Sequence, residues 1–155
     1  MKTIYLLLTS ASFFFISCSS TMLAQDTVRP VKHVSIKVLR SFIKTYGEVP
    51  DVKWVRTSNG YVASFGSKEI NTIVHYKGSG AIDSWLLYYS EDRLSPAIRQ
   101  LVKSNFYDYS ITHVTEVHKN ELTAYYLLLE DEKTIKTLKI ADGEWEIEKT
   151  IYKSK

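Results

Sequence analysis

Apolar residues along this chain switch between two spacings. Between Val34 and Tyr46 they fall at Val38, Leu39, Phe42, Ile43 and Tyr46, the three-and-four spacing of one helix face. Gly47 then stands where a helix-terminating glycine belongs. Val34, Ile36 and Val38 also alternate as a strand would, so the start of this element is open. Four runs of period two follow, over residues 52–56, 61–65, 70–77 and 81–89. Asn59-Gly60 between the first two is a strong short hairpin signal. Gly66-Ser67-Lys68-Glu69 and Gly78-Ser79-Gly80 supply the other turns.

The pattern then restarts. Ser95 is a suitable N-cap and Pro96 suits the first helical position. Ile98, Leu101, Val102 and Phe106 give the buried stripe of a second helix. Four more strand-like runs cover 110–118, 122–129, 134–140 and 144–152, with turns at Lys119-Asn120, Asp131-Glu132 and Asp142-Gly143. The expected fold is α+β: a tandem repeat of a helix plus four antiparallel strands, with the helices packed on one face of a curved sheet. Repeat 1 covers about 34–90 and repeat 2 about 94–152.

Laying one half on the other assigns faces by alternation. Gly80-Ala81-Ile82 is matched to Gly143-Glu144-Trp145. Ile82, Ser84 and Leu86 then point under the helices with Trp145, Ile147 and Lys149, as do Val74 and Tyr76 with Leu138 and Ile140. Tyr61, Ala63 and Phe65 point inward with Leu122, Ala124 and Tyr126, and Trp54 is core. The open face receives Asp83, Trp85 and Tyr89 with Glu146, Glu148 and Tyr152. It also receives His75, Lys77, Val62 and Ser64 with Thr137, Lys139, Thr123 and Tyr125. Trp85, Tyr89, His75 and Tyr125 are therefore the expected partner-binding residues, since aromatic rings anchor protein interfaces.

The N-terminus changes the picture of where the chain works. Lys2 followed by Ile4 to Leu8 and Phe13 to Ile16 reads as a secretory signal, too short for a permanent membrane span. Two processing sites compete. Ile16-Ser17-Cys18 resembles a relaxed lipobox that would lipidate Cys18. Met22-Leu23-Ala24 before Gln25 resembles an ordinary signal-peptidase site with a bulky residue at −3. The signal thus covers 1–24 or ends before Cys18, a linker covers 25–33, and the domain covers 34–155. Cys18 is the single cysteine of the 155 residues, so the domain needs no disulfide in an oxidising envelope. The expected location is the periplasm, the outer membrane as a lipoprotein, or the exterior.

Several motifs together resemble a known group. They are Val52-Lys53-Trp54, Asn59-Gly60-Tyr61-Val62-Ala63-Ser64-Phe65, Val74-His75-Tyr76 before Gly80, Leu94-Ser95-Pro96-Ala97-Ile98, Tyr109-Ser110-Ile111 and Asp142-Gly143. In this order and spacing, over 34–152, the chain resembles the β-lactamase-inhibitor-like, PepSY-like family of small exported Bacteroidetes proteins. The family commonly has Leu-Pro at the second helix start, where Ser95 intervenes here. The resemblance implies the tandem helix-plus-four-strand fold. It implies neither β-lactamase inhibition nor any catalytic residue.

Composition and charge exclude little chemistry but point away from several classes. The chain is 45% hydrophobic with net charge +3, and its charges are interspersed, which gives no footprint for nucleic acid. Of the histidines His33, His75, His113 and His118, the last two are five apart on one strand and should face opposite ways, so no metal site is expected. Gly78-Ser79-Gly80 is a turn rather than a nucleophile elbow, because a strand follows it. Glu130-Asp131-Glu132 reads as a solvated hairpin tip, and Glu144, Glu146 and Glu148 as a charged face paired with Lys139 and Lys149. No cofactor and no catalytic site are expected. The leading expectation is a non-enzymatic exported protein that binds an envelope protein, peptide or propeptide through its open sheet face. The alternative is a structural or accessory lipoprotein held to the membrane through Cys18.

Overall fold

The computed structural model describes residues 29–30 and 33–154. The competing processing sites, Cys18 included, lie outside them. A two-residue strand β1 (Arg29–Pro30) falls inside the stretch read as linker. Helix α1 (Ile36–Tyr46) follows, then β2 (Lys53–Arg56), β3 (Gly60–Gly66), β4 (Asn71–Lys77) and β5 (Ile82–Tyr89). A 3-10 turn at Glu91–Arg93 leads to α2 (Pro96–Asn105). Then come β6 (Ser110–Lys119), β7 (Leu122–Glu130), β8 (Thr134–Ala141) and β9 (Glu144–Tyr152). Among the described residues the nine strands form one antiparallel sheet in sequence order, β1 through β9.

Both helices cover the same face. From α1, Val38 and Phe42 bury against Ala63, Val74 and Tyr76. Phe42 lies 5.3 Å from Trp54 and 5.2 Å from Phe65, both edge-on, an arrangement that adds about 0.5–1.5 kcal/mol per pair beyond burial. From α2 and its C-cap, Val102 and Phe106 bury against Val114, Leu127, Leu138 and Ile140. Ser95 caps α2 by accepting from the Ile98 N–H at 3.4 Å, and Pro96 opens it. At α1 the Ser35 side chain makes no cap bond, and Gly47 ends the helix at φ 75°.

Three strands carry one extra residue each. In β5 the pairing steps from His75 with Ser84 to Tyr76 with Ile82, so Asp83 is unpaired. In β6 Thr112 is extra, and in β9 Glu148 is. Each bulge reverses the facing of everything beyond it, because side chains alternate with period two. Plain alternation therefore fails at these strands. Ser84, Leu86 and Lys149 lie on the open face and not under the helices, while Trp85, Tyr89 and Tyr152 lie on the helix side.

Candidate binding face

Facing follows from the register. Val74, fully buried under α1, pairs with Trp85, which pairs with His118, which pairs with Thr123. Trp85 packs against the α1 core and Tyr89 sits in the α2 core at 7% exposure. Tyr125 pairs with Glu116 on the same side and packs against the α2 core. Trp85, Tyr89 and Tyr125 are thus not on the open face. The Asp83 bulge inverts β5. Strand β7 is apolar on both faces, with Leu122, Ala124, Tyr126 and Leu128 on one and Tyr125, Leu127 and Leu129 on the other. Alternation alone could not choose between them. His75 does lie on the open face, between Val62 and Ser84.

The three misplaced aromatics meet instead at the junction of the two cores. The Trp85 ring stacks on His118 at 4.5 Å and 10°. His118 Nε2 lies 2.7 Å from Glu116 Oε1, and the Thr123 hydroxyl lies 2.9 Å from His118 Nδ1. The Tyr89 hydroxyl donates to the other Glu116 oxygen at 2.5 Å. Burial, and then the hydrogen bond to the Glu116 carboxylate, hold the Tyr89 phenol far above its usual range. Burial followed by the Glu116 charge raises Tyr125 as well. Both Glu116 oxygens are engaged, so this group clamps β5 to β6 where α1 coverage gives way to α2 coverage. Sequence reasoning noted His118 only as a metal ligand to be discounted and missed Glu116. No local motif marks this cluster, because it forms across strands.

The opposite face keeps Val62, His75 and Lys77 where alternation placed them, and gains Ser84, Leu86, Ala124 and Tyr126, which alternation placed under the helices. Ile73 pairs with Leu86, Leu86 with Val117 and Val117 with Ala124, a row of apolar side chains across β4 to β7. On one side of it runs Tyr88, Thr115 and Tyr126; on the other run Val62, His75, Ser84 and Lys119. Among the described residues no helix lies over this face. Over β2 to β5 it hollows into a groove of about 710 Å³ lined by Val55, Val62, Ile73, His75, Lys77 and Asp83. A neighbouring hollow of about 310 Å³ shares Ser64 and Ile73 with it. Asp83, pushed out by its bulge, lies 3.4 Å from Lys77 and 3.9 Å from Lys119 at the rim. The face offers apolar contact area in its middle and charge at its edge. Among the described residues no group of three His, Cys, Asp or Glu side chains could hold a metal ion.

No family model matches this chain, and no curated protein matches it. Solved structures do. A DUF2874 family protein from Bacteroides ovatus matches with TM-score 0.61 at 20% identity, over 79% of this chain and 89% of that one. A BLIP-like protein from Bacteroides fragilis matches with TM-score 0.61 at 14% identity, over 79% and 88%. A provisionally periplasmic protein from Bacteroides eggerthii matches with TM-score 0.60 at 16% identity, over 77% and 89%. At such identities the likeness shows the fold. The folds found are those of the group that the sequence motifs resemble.

Proposed function

We propose that this chain is a non-catalytic exported protein that binds a polypeptide segment on the helix-free face of its sheet. The observation that carries the reading is the uncovered apolar row Ile73, Leu86, Val117 and Ala124. Three inter-strand steps of about 4.8 Å make it roughly 14 Å long before its flanking rows are counted. That length, continuous with the groove beside His75, suits an extended segment better than a small ligand. Aromatic flanks at Tyr88 and Tyr126 supply anchors of the kind that dominate interface energy. The charged rim formed by Lys77, Asp83 and Lys119 would set specificity. We read the two helix-plus-four-strand halves as copies of one unit.

The test is capture from envelope extract by the wild-type chain, Leu86→Lys and Val117→Lys, with the helix-side variant Leu101→Ala as a control. A partner retained by wild type and control but lost from both lysine variants supports the reading. A partner retained by all four sinks it. The Cys18 tether is a separate matter, favoured by the polar run Ser19-Ser20-Thr21 behind that cysteine. Membrane fractionation of wild type against Cys18→Ala decides it: release of the variant from the membrane supports lipidation, and equal distribution contradicts it.

A further inference from the structure

At the edge of the sheet, β9 carries more exposed large hydrophobic side chains than any other described strand. Trp145, Ile147, Ile151 and Tyr152 are exposed by 41%, 42%, 45% and 79%. No further strand pairs with its outer side among the described residues. Long apolar edges invite strand pairing and are usually blunted or covered. We propose that β9 pairs antiparallel with β9 of a second copy of this chain, about a two-fold axis between Glu148 and Lys149.

The strand's own pattern identifies this occupant. Residues opposed across an antiparallel pair share a face, and a two-fold axis perpendicular to the sheet preserves faces. In an unbroken strand, same-face residues are an even number apart. The Glu148 bulge breaks that rule here. Trp145 pairs with Ile140 and Tyr152 with Thr134, both on the helix side, although Trp145 and Tyr152 are seven apart. The bulge therefore permits a register that opposes Trp145 to Tyr152 and Ile147 to Thr150 on the helix side. The same register opposes Glu144 to Lys153 and Glu148 to Lys149. The alternative full-length register, with Glu148 against its own copy, would set Glu144 on one face against Tyr152 on the other.

Charge follows the same symmetry. The first half of β9 carries Glu144, Glu146 and Glu148, and the second half leads through Lys149 to Lys153. In that register an antiparallel copy lays Glu144 on Lys153 and Glu148 on Lys149 in both directions, while Glu146 meets Ile151. Among the described residues Glu144, Glu148 and Lys149 form no ion pair, whereas Lys139 takes Glu146 and Lys153 takes Glu130. These three charges of the proposed interface thus have no ion-pair partner of their own among the described residues, although the Glu148 charge also acts on Lys139. The bulge interrupts the backbone ladder at the axis, leaving one short ladder on each side of it.

Sedimentation velocity and light scattering of protein purified from cells expressing the full chain test this across a micromolar-to-millimolar series. The expected result is a dimer that dissociates on dilution. Glu148→Lys places like charges at the axis twice over and weakens the dimer roughly tenfold. Adding Lys149→Glu to that variant restores wild-type affinity, and circular dichroism confirms that both variants fold. A monomer throughout the series overturns the proposal. So does a dimer that the single reversal does not weaken, or one that the double reversal fails to restore.

Discussion

Replacing Trp85 by Ala separates the bulged register from plain alternation. If Trp85 lay on the helix-free face, its loss would cost little stability and would act on binding. The register places it on the buried side, paired with Val74 and packed against the α1 core. Truncating a fully buried Trp costs about 3–5 kcal/mol. Trp85 is only half-buried, which reduces that term, but its 4.5 Å stack on His118 adds back about 0.5–1.5 kcal/mol. The net expectation is a loss of about 2–4 kcal/mol. Urea unfolding followed by far-ultraviolet circular dichroism reads it directly, since the midpoint shifts while the slope stays constant. Tyr88→Ala is the matched control on the other face, where the nearest ring contact is His113 at 6.0 Å, and it should cost clearly less. A Trp85→Ala loss below about 0.5 kcal/mol, the range of ordinary surface changes, would refute the facing assigned to β5.

Three further outcomes follow from individual groups. The Tyr76 hydroxyl is buried and, among the described residues, has no hydrogen-bond partner, so Tyr76→Phe should stabilise by about 1 kcal/mol in the same unfolding assay. Burial, then the Tyr46 phenol, push Tyr76 up to about 12, so its share of stability is full below pH 10 and is lost as pH rises through about 12. Partial burial works to raise Asp131, but the backbone N–H groups of Thr134 and Lys133 and nearby hydroxyls prevail and hold it at about 2. Its contribution is therefore present above about pH 4 and lost as pH falls to about 2, and Asp131→Asn should flatten that part of an acid titration of stability. Gly60 closes the Asn59-Gly60 hairpin with no room for a side chain, since a Cβ there would sit 1.9 Å from the Tyr76 carbonyl oxygen. Gly60→Ala should cost about 1–3 kcal/mol through the backbone shift it forces, read as a lower melting temperature.

Much of the architecture was legible. The helix stripes at Val38 and Phe42 and at Val102 and Phe106, the Ser95-Pro96 start and the Asn59-Gly60 turn all mark their elements within a residue or two. These signals are local, and local chemistry decides them. Facing in β2 to β4 was equally legible, because the pairing of these three strands carries no extra residue and Trp54, Ala63, Val74 and Tyr76 keep plain alternation. The helix-free face was legible only in part: His75 and Val62 lie there as alternation has it, while Trp85, Tyr89 and Tyr125 do not. A bulge inserts one residue without a distinctive sequence, and Asp83, Thr112 and Glu148 look like ordinary outward polar positions. The contrast between Trp85 and Glu148, which alternation aligns, is resolved by those bulges: Glu148 is the extra residue of β9, while Trp85 lies two beyond the extra residue of β5. The Glu116 cluster was hidden for a different reason, since residues from β5, β6 and β7 meet only through pairing. The stretch containing β1 shows no periodicity, because a two-residue strand is too short to have one.

The facing of β5 underlies both the uncovered apolar row and the proposed binding role, and adjacent leucines report it most directly. In a Cys18→Ser background, Leu86→Cys and Leu87→Cys are each exposed to a maleimide under native conditions, and labelling rates are compared with those of the unfolded chains. Leu86 lies on the open face and Leu87 packs against the α2 core. Fast native labelling is expected at position 86 and strong protection at position 87. Protection at 86 with fast labelling at 87 would restore plain alternation and remove the proposed binding face.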